Sequence, residues 1–208
     1  MAIIRIPSVS IRGVSACVPP HVDKNRESSL RTPEEMDTLI STIGVEEKRI
    51  ADDKTCTSDL CYQAAEKLIE ELQWDKKEIE ALVFVSQTED YILPATSCIL
   101  QNRLGLSMEC FTIDISLGCS GWVYGLNTLA ALVATGGVKK ALLLVGDTTS
   151  KTTCPEDKSS WPLFGDAGTA TALEYDTQSN GFVFHAATDG SGAKAIMIPD
   201  GGARNPFT

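Results

Sequence analysis

The chain has 208 residues, of which 43% are apolar and 22% charged, the balance of an ordinary globular protein. Its net charge of −10, with no Lys/Arg cluster to offset it, argues against a nucleic-acid partner. Seven scattered cysteines, no CxxC pair and only two histidines give a zinc site little to work with and fit free thiols in a reducing cytoplasm. No metal or cofactor is expected. The N-terminus alternates apolar and polar residues rather than presenting a signal-peptide core. No apolar run approaches the ~18 residues of a membrane span.

Taken in order, Ile3 to Val18 reads as a strand ended by Pro19-Pro20. Thr32-Pro33-Glu34-Glu35 opens a helix with an N-cap threonine, a proline in the first position and a capping-box glutamate, and Gly44 closes it. Ser58 to Leu72 is an amphipathic helix with Cys61, Ala64, Ala65, Leu68 and Leu72 on one face. Ala81 to Ser86 and Ala141 to Val145 are short apolar runs, as expected of strands covered on both faces. Between them lie a helix from Pro94 to Leu104, a strand from Cys110 to Ile115 and a helix from Ser120 to Thr135. A polar loop (Asp147 to Pro162) precedes three strand-like segments, Ala167 to Tyr175, Gly181 to Ala187 and Ala195 to Ile198. The order β-α-α-β-α-β-α-β-β-β predicts an α/β fold, its sheet parallel in the middle with antiparallel additions at the end. The tail from Gly201 to Thr208 reads as a polar loop at which a longer chain has been cut.

The stretch Asp114-Ile-Ser-Leu-Gly-Cys-Ser-Gly-Trp-Val-Tyr124 carries the chemistry. It places Cys119 in a strand-to-helix turn at a helix N-terminus, where unpaired N–H groups and the helix dipole favour a thiolate. Gly118 and Gly121 permit a sharp turn and a close approach of a substrate carbonyl, and the same N–H groups can stabilise an oxyanion. Position and glycines leave a second reading open, a small hydrophobe buried at a tight junction. The spacing of Gly118-Cys-Ser-Gly121 is not that of a hydrolase elbow.

Three further segments join this one. Phe164-Gly165-Asp166-Ala167-Gly168-Thr169-Ala170, Asp189-Gly190-Ser191 and Thr42-x-Gly44-Val45 with Lys48-Arg49, together with the Cys119 turn, resemble in order and spacing the motifs of the ketoacyl synthase III family. The resemblance covers nearly the whole chain. It implies one half of the duplicated, five-layered thiolase fold. Residues 1–175 would be the N-terminal half that carries the nucleophile, and 176–208 the start of the strands leading into a C-terminal half.

The function implied is a 3-oxoacyl thioester synthase of fatty acid or polyketide type. Cys119 takes the acyl group from an acyl thioester, acyl-CoA or acyl-carrier protein, and a malonyl-carrier protein is then decarboxylated and condensed with it. The histidine and asparagine of that reaction belong to the C-terminal half; neither His21 nor His185 matches. Alternatives are transfer to a non-malonyl acceptor, a hydroxymethylglutaryl-type synthase, or a non-catalytic dimerisation module. The resemblance also implies a homodimer in which Leu93 reaches the partner's acyl pocket. At the nucleotide-binding positions the chain departs from the family: Thr38 and Thr42 stand where a stacking Trp and an Arg are expected, and Lys158 where an Arg is. Lys158 could still receive the donor's phosphate, but the loss of a stack and a guanidinium fork favours a carrier-protein donor over CoA.

Overall fold

The computed structural model describes residues 2–206. The segment expected to be one strand is two, β1 (Ala2–Ile6) and β2 (Val9–Cys17). They break at Pro7-Ser8, where Ser8 takes a positive φ of 61°. Two short strands not marked in the sequence, β3 (His21–Lys24) and β4 (Glu47–Ile50), form an antiparallel ribbon. Between them stands α1 (Pro33–Ile43), capped as its sequence predicts. Thr32 Oγ1 accepts from the Glu35 N–H at 3.3 Å, the Glu35 carboxylate accepts from the Thr32 N–H at 3.0 Å, and Gly44 ends the helix at φ 77°. Met36 and Ile40 form its buried inner face.

The remaining elements are α2 (Thr57–Leu72), β5 (Ile79–Val85), α3 (Thr96–Leu104), β6 (Phe111–Ile115), α4 (Gly121–Ala134), β7 (Lys140–Thr148), β8 (Asp166–Tyr175) and β9 (Phe182–Ala186). Five strands make the main sheet in the order β2-β8-β7-β5-β6. β5 is parallel to both β6 and β7, while β8 is antiparallel to β7 and β2. β9 pairs with β1 outside that sheet. The stretch Ala195 to Ile198 is not a strand. It follows a short 3-10 turn (Gly190–Gly192), pairs with no described strand and leaves Ile196, Met197 and Ile198 exposed.

The sheet is covered on both faces. Cys61, Ala64, Ala65 and Leu68 of α2, with Leu100 and Leu104 of α3, pack against Leu82, Phe84, Leu142 and Leu144. Leu126, Leu129, Ala130 and Val133 of α4 pack against Val83, Val85 and Leu143 on the other side. This double cover is why β5 and β7 carry continuous apolar runs rather than alternating ones. α4 lies unusually close to the sheet: a Cβ at Gly125 would come within 2.6 Å of Leu143 Cδ1 and 2.8 Å of Val85 Cγ2. Among the described residues no helix is long and apolar enough to cross a membrane.

Candidate active site

Because β5, β6 and β7 run parallel, their carboxyl ends open on the same side of the sheet, where α/β folds usually bind ligands. Ser86-Gln87-Thr88 follows β5, the Cys119 turn follows β6, and Asp147-Thr148 ends β7. Asp147 Oδ1 ties the first of these to the third. It accepts from the Gln87 N–H at 2.7 Å, from Ser86 Oγ at 3.0 Å and from Thr88 Oγ1 at 3.2 Å. Thr88 Oγ1 also accepts from the Thr148 N–H at 2.9 Å and lies 2.8 Å from Thr57 Oγ1 at the start of α2. The floor of the site is therefore a cross-linked hydroxyl and carboxylate network, rigid because each member has several partners.

The Phe164-Gly165-Asp166 motif serves this frame. Asp166 is buried and accepts from the Ala51 N–H (2.7 Å), the Ser150 N–H (3.0 Å) and Ser150 Oγ (2.6 Å), holding two loops to the start of β8. A side chain at Gly168 would meet Leu60 Cβ at 2.6 Å, so glycine there lets β8 pass the first turn of α2.

Cys119 is exposed in the turn between β6 and α4. The Gly121 N–H donates to the Gly118 carbonyl at 2.7 Å, closing the turn. Ser120 is the N-cap, yet its side chain makes no capping bond, and no acidic residue lies in the first turn of α4. The helix start thus offers its N–H groups and positive dipole end to whatever sits on Cys119. A Cβ at Gly121 would be 2.6 Å from Val85 Cγ1, which fixes how closely the turn rides on β5. Three other cysteines are held as thiols. Burial pushes Cys61 up to about 12 and Cys110 to about 11, and burial followed by the Asp90 charge raises Cys56.

The other residues singled out in the sequence are dispersed. Lys158 is exposed in the β7–β8 loop, where its carbonyl accepts from Arg31 Nη2 at 3.0 Å. Leu93 is 79% exposed on the segment leading to α3. Thr38 and Thr42 lie on the exposed side of α1, their hydroxyls bonded to the Glu34 and Thr38 carbonyls at 2.9 and 2.8 Å. Met36, the remaining large side chain of that helix near the nucleotide-binding positions, is only 2% exposed and is no stacking platform. Trp161 instead borders an open cleft of about 520 Å³ with Asp23, Ser28, Leu30 and Pro155, with Lys48 Nζ 3.8 Å above its ring. A second cleft, of about 730 Å³, lies among Asp90, Tyr91, Ile92, Ala95 and Asp114. Cys119 lines neither cleft. His21 on β3 and His185 on β9 are exposed and lie outside the main sheet. The Gln87 and Asp147 arrangement was not foreseen from sequence. Its signal is the polar Ser86-Gln87-Thr88 directly after a wholly apolar strand.

The model of the family described as 3-Oxoacyl-[acyl-carrier-protein (ACP)] synthase III matches residues 113–192, which include the Cys119 turn and the Phe164-Gly165-Asp166 and Asp189-Gly190-Ser191 segments. A relative from Desulfitobacterium hafniense (strain Y51), named Beta-ketoacyl-[acyl-carrier-protein] synthase III, is 33% identical over 200 residues. The match takes in 96% of this chain and 60% of the relative. The crystal structure of a 3-oxoacyl-(acyl-carrier protein) synthase from Burkholderia xenovorans LB400 superposes with a TM-score of 0.95 at 41% identity, over 99% of this chain and 59% of that one. The chain is thus similar over nearly its whole length to part of the 3-oxoacyl-[acyl-carrier-protein] synthase III proteins. A Campylobacter jejuni member, named Putative 3-oxoacyl-[acyl-carrier-protein] synthase 3, is 34% identical over 97% of this chain and 58% of its own length. The chain thus spans about three fifths of the synthase III relatives it matches. The α/β fold expected from the sequence is theirs, the thiolase fold.

Proposed function

We propose that Cys119 is the acyl-carrying nucleophile of a cytoplasmic 3-oxoacyl thioester synthase. Residues 1–175 are the nucleophile-bearing half of its fold, and 176–208 lead towards a second half. In the first step the Cys119 sulfur attacks the thioester carbonyl carbon. A C–S bond forms, the donor's C–S bond breaks, and the thiol proton leaves with the released donor thiol. In the second, a malonyl-carrier protein loses carbon dioxide, the resulting carbanion displaces the cysteine thiolate to give a 3-oxoacyl thioester, and a proton from water restores the thiol. What carries the reading is the uncapped, acid-free start of α4 beside an exposed, glycine-flanked cysteine, because developing negative charge is stabilised there without reorganisation.

The donor is a carrier-protein thioester rather than CoA, since Thr38 and Thr42 offer no aromatic or guanidinium group; Lys158 receives the donor's phosphate. Two copies associate through β6, an edge strand of the main sheet with Phe111 46% and Ile113 38% exposed, and Leu93 of one copy closes the acyl pocket of the other. A two-fold contact of this kind closes at two copies. The test is a condensation assay on the intact protein with malonyl-carrier protein and either an acyl-carrier protein or a short acyl-CoA. Formation of a 3-oxoacyl-carrier protein, with the carrier-protein donor ahead by roughly tenfold or more, supports the proposal. Absence of any condensation product overturns it.

A further inference from the structure

Gln87 is the residue after Ser86 at the carboxyl end of β5, and its backbone is fixed by the bond from its N–H to Asp147. The Ser86 N–H donates to the Ile115 carbonyl at 3.2 Å, so this segment runs beside the end of β6 and the turn that follows. Its side chain lies over Gly118, the residue before Cys119. A Cβ added at Gly118 would collide with Gln87 Oε1, and would lie 3.2 Å from its Cδ and 3.8 Å from its Nε2. Glycine at 118 is therefore what admits the amide. Gln87 is exposed, and neither end of its amide has a hydrogen-bond partner among the described residues. An exposed amide laid against the peptide that carries Cys119, and anchored by its own main chain, can reach a ligand that approaches that cysteine.

Resting on the reading of Cys119 as the acyl carrier, we propose that Gln87 is a substrate-contacting specificity residue, whose NH₂ donates to the carbonyl oxygen of the thioester as it approaches the cysteine. The amide is uncharged, so it orients the carbonyl without setting a second negative charge beside the sulfur, as a carboxylate would.

Two near-isosteric variants of the intact protein test this, each by two readouts: acylation by an acyl-carrier protein, and alkylation of Cys119 by iodoacetamide. Gln87→Met keeps the length and loses the donor. It is expected to slow acylation about tenfold while alkylation stays within about twofold of the parent. Gln87→Glu keeps the shape and is expected to slow both, because its charge opposes the thiolate. Acylation unchanged in Gln87→Met overturns the proposal, and so does alkylation falling as far as acylation, since Gln87 would then merely hold the turn. A parent protein whose Cys119 is alkylated but never acylated would instead refute the functional reading, so the two failures are distinguishable.

Discussion

Two helices of this protein begin beside a cysteine, and only one of the two starts is left available. At α2 the N-cap is Cys56, whose N–H donates to Asp59 at 2.8 Å; Asp59 in turn is held by Arg103 Nη2 at 2.8 Å, and Ser58 Oγ donates to Asp90 at 2.7 Å. The helix dipole there is already answered by carboxylates, and burial and the Asp90 charge raise the Cys56 thiol. At α4 the cysteine stands just outside the N-cap, no side chain caps the first turn, no acid lies in it, and the thiol is exposed. A cysteine at a helix N-terminus is thus no sign of reactivity by itself. What distinguishes Cys119 is that, among the described residues, no side chain caps the helix end.

That contrast can be broken most severely by competitive alkylation. With limiting iodoacetamide near neutral pH, Cys119 should be modified faster than Cys56 by about a hundredfold, and the buried Cys61 and Cys110 should stay unmodified in the native protein. Peptide mass spectrometry finding Cys56 labelled first would remove the distinction. A smaller effect comes from moving one start towards the other. Asp59→Asn takes away one of the two carboxylates at α2, and should speed Cys56 alkylation about twofold while lowering stability by about 1 kcal/mol. If Cys56 does not respond, Asp59 is not part of what quiets it.

The α4 start can be tested through its packing. Gly121→Ala introduces a Cβ 2.6 Å from Val85 Cγ1 and should cost roughly 1–3 kcal/mol, read as a lowered urea midpoint. No loss would mean that the turn is not seated on β5 as described. The smallest effect is a pH slope. Folded Cys61 titrates at about 12 against 9.0 for an ordinary thiol, so between those values the unfolded chain binds fewer protons than the folded one. The stability Cys61 contributes is complete below pH 9 and falls as pH rises towards 12. Cys61→Ala should flatten that slope in urea titrations at pH 8 and pH 10, and an unchanged slope would assign it to other groups.

Much of this was readable from the chain because the signals are local. The capping box at Thr32 and Glu35, the apolar runs 81–85 and 141–144, and the glycine-flanked turn at Cys119 each depend on a few consecutive residues, and each stands where the sequence puts it. The misses depend on distant partners. His21–Lys24 and Glu47–Ile50 are short and charged, and become strands only because each lies beside the other. Ala195 to Ile198 has the composition of a strand but, among the described residues, no strand to pair with. The break at Pro7-Ser8 follows from β1 pairing with β9 while β2 pairs with β8, a division made at the other end of the chain. Gln87 escaped notice for the same reason. A polar residue after a strand looks like any loop residue until the fold brings it over Gly118.

The most direct measurement of the central claim is the site of acylation itself. The intact protein and its Cys119→Ala variant are each incubated with an acyl-carrier protein thioester, digested, and the added acyl mass is mapped to peptides. The account predicts one acyl group on the peptide containing Cys119, none on the peptides containing Cys56, Cys98 or Cys154, and none anywhere in the variant. Acyl mass on another cysteine, or its persistence in Cys119→Ala, would contradict it.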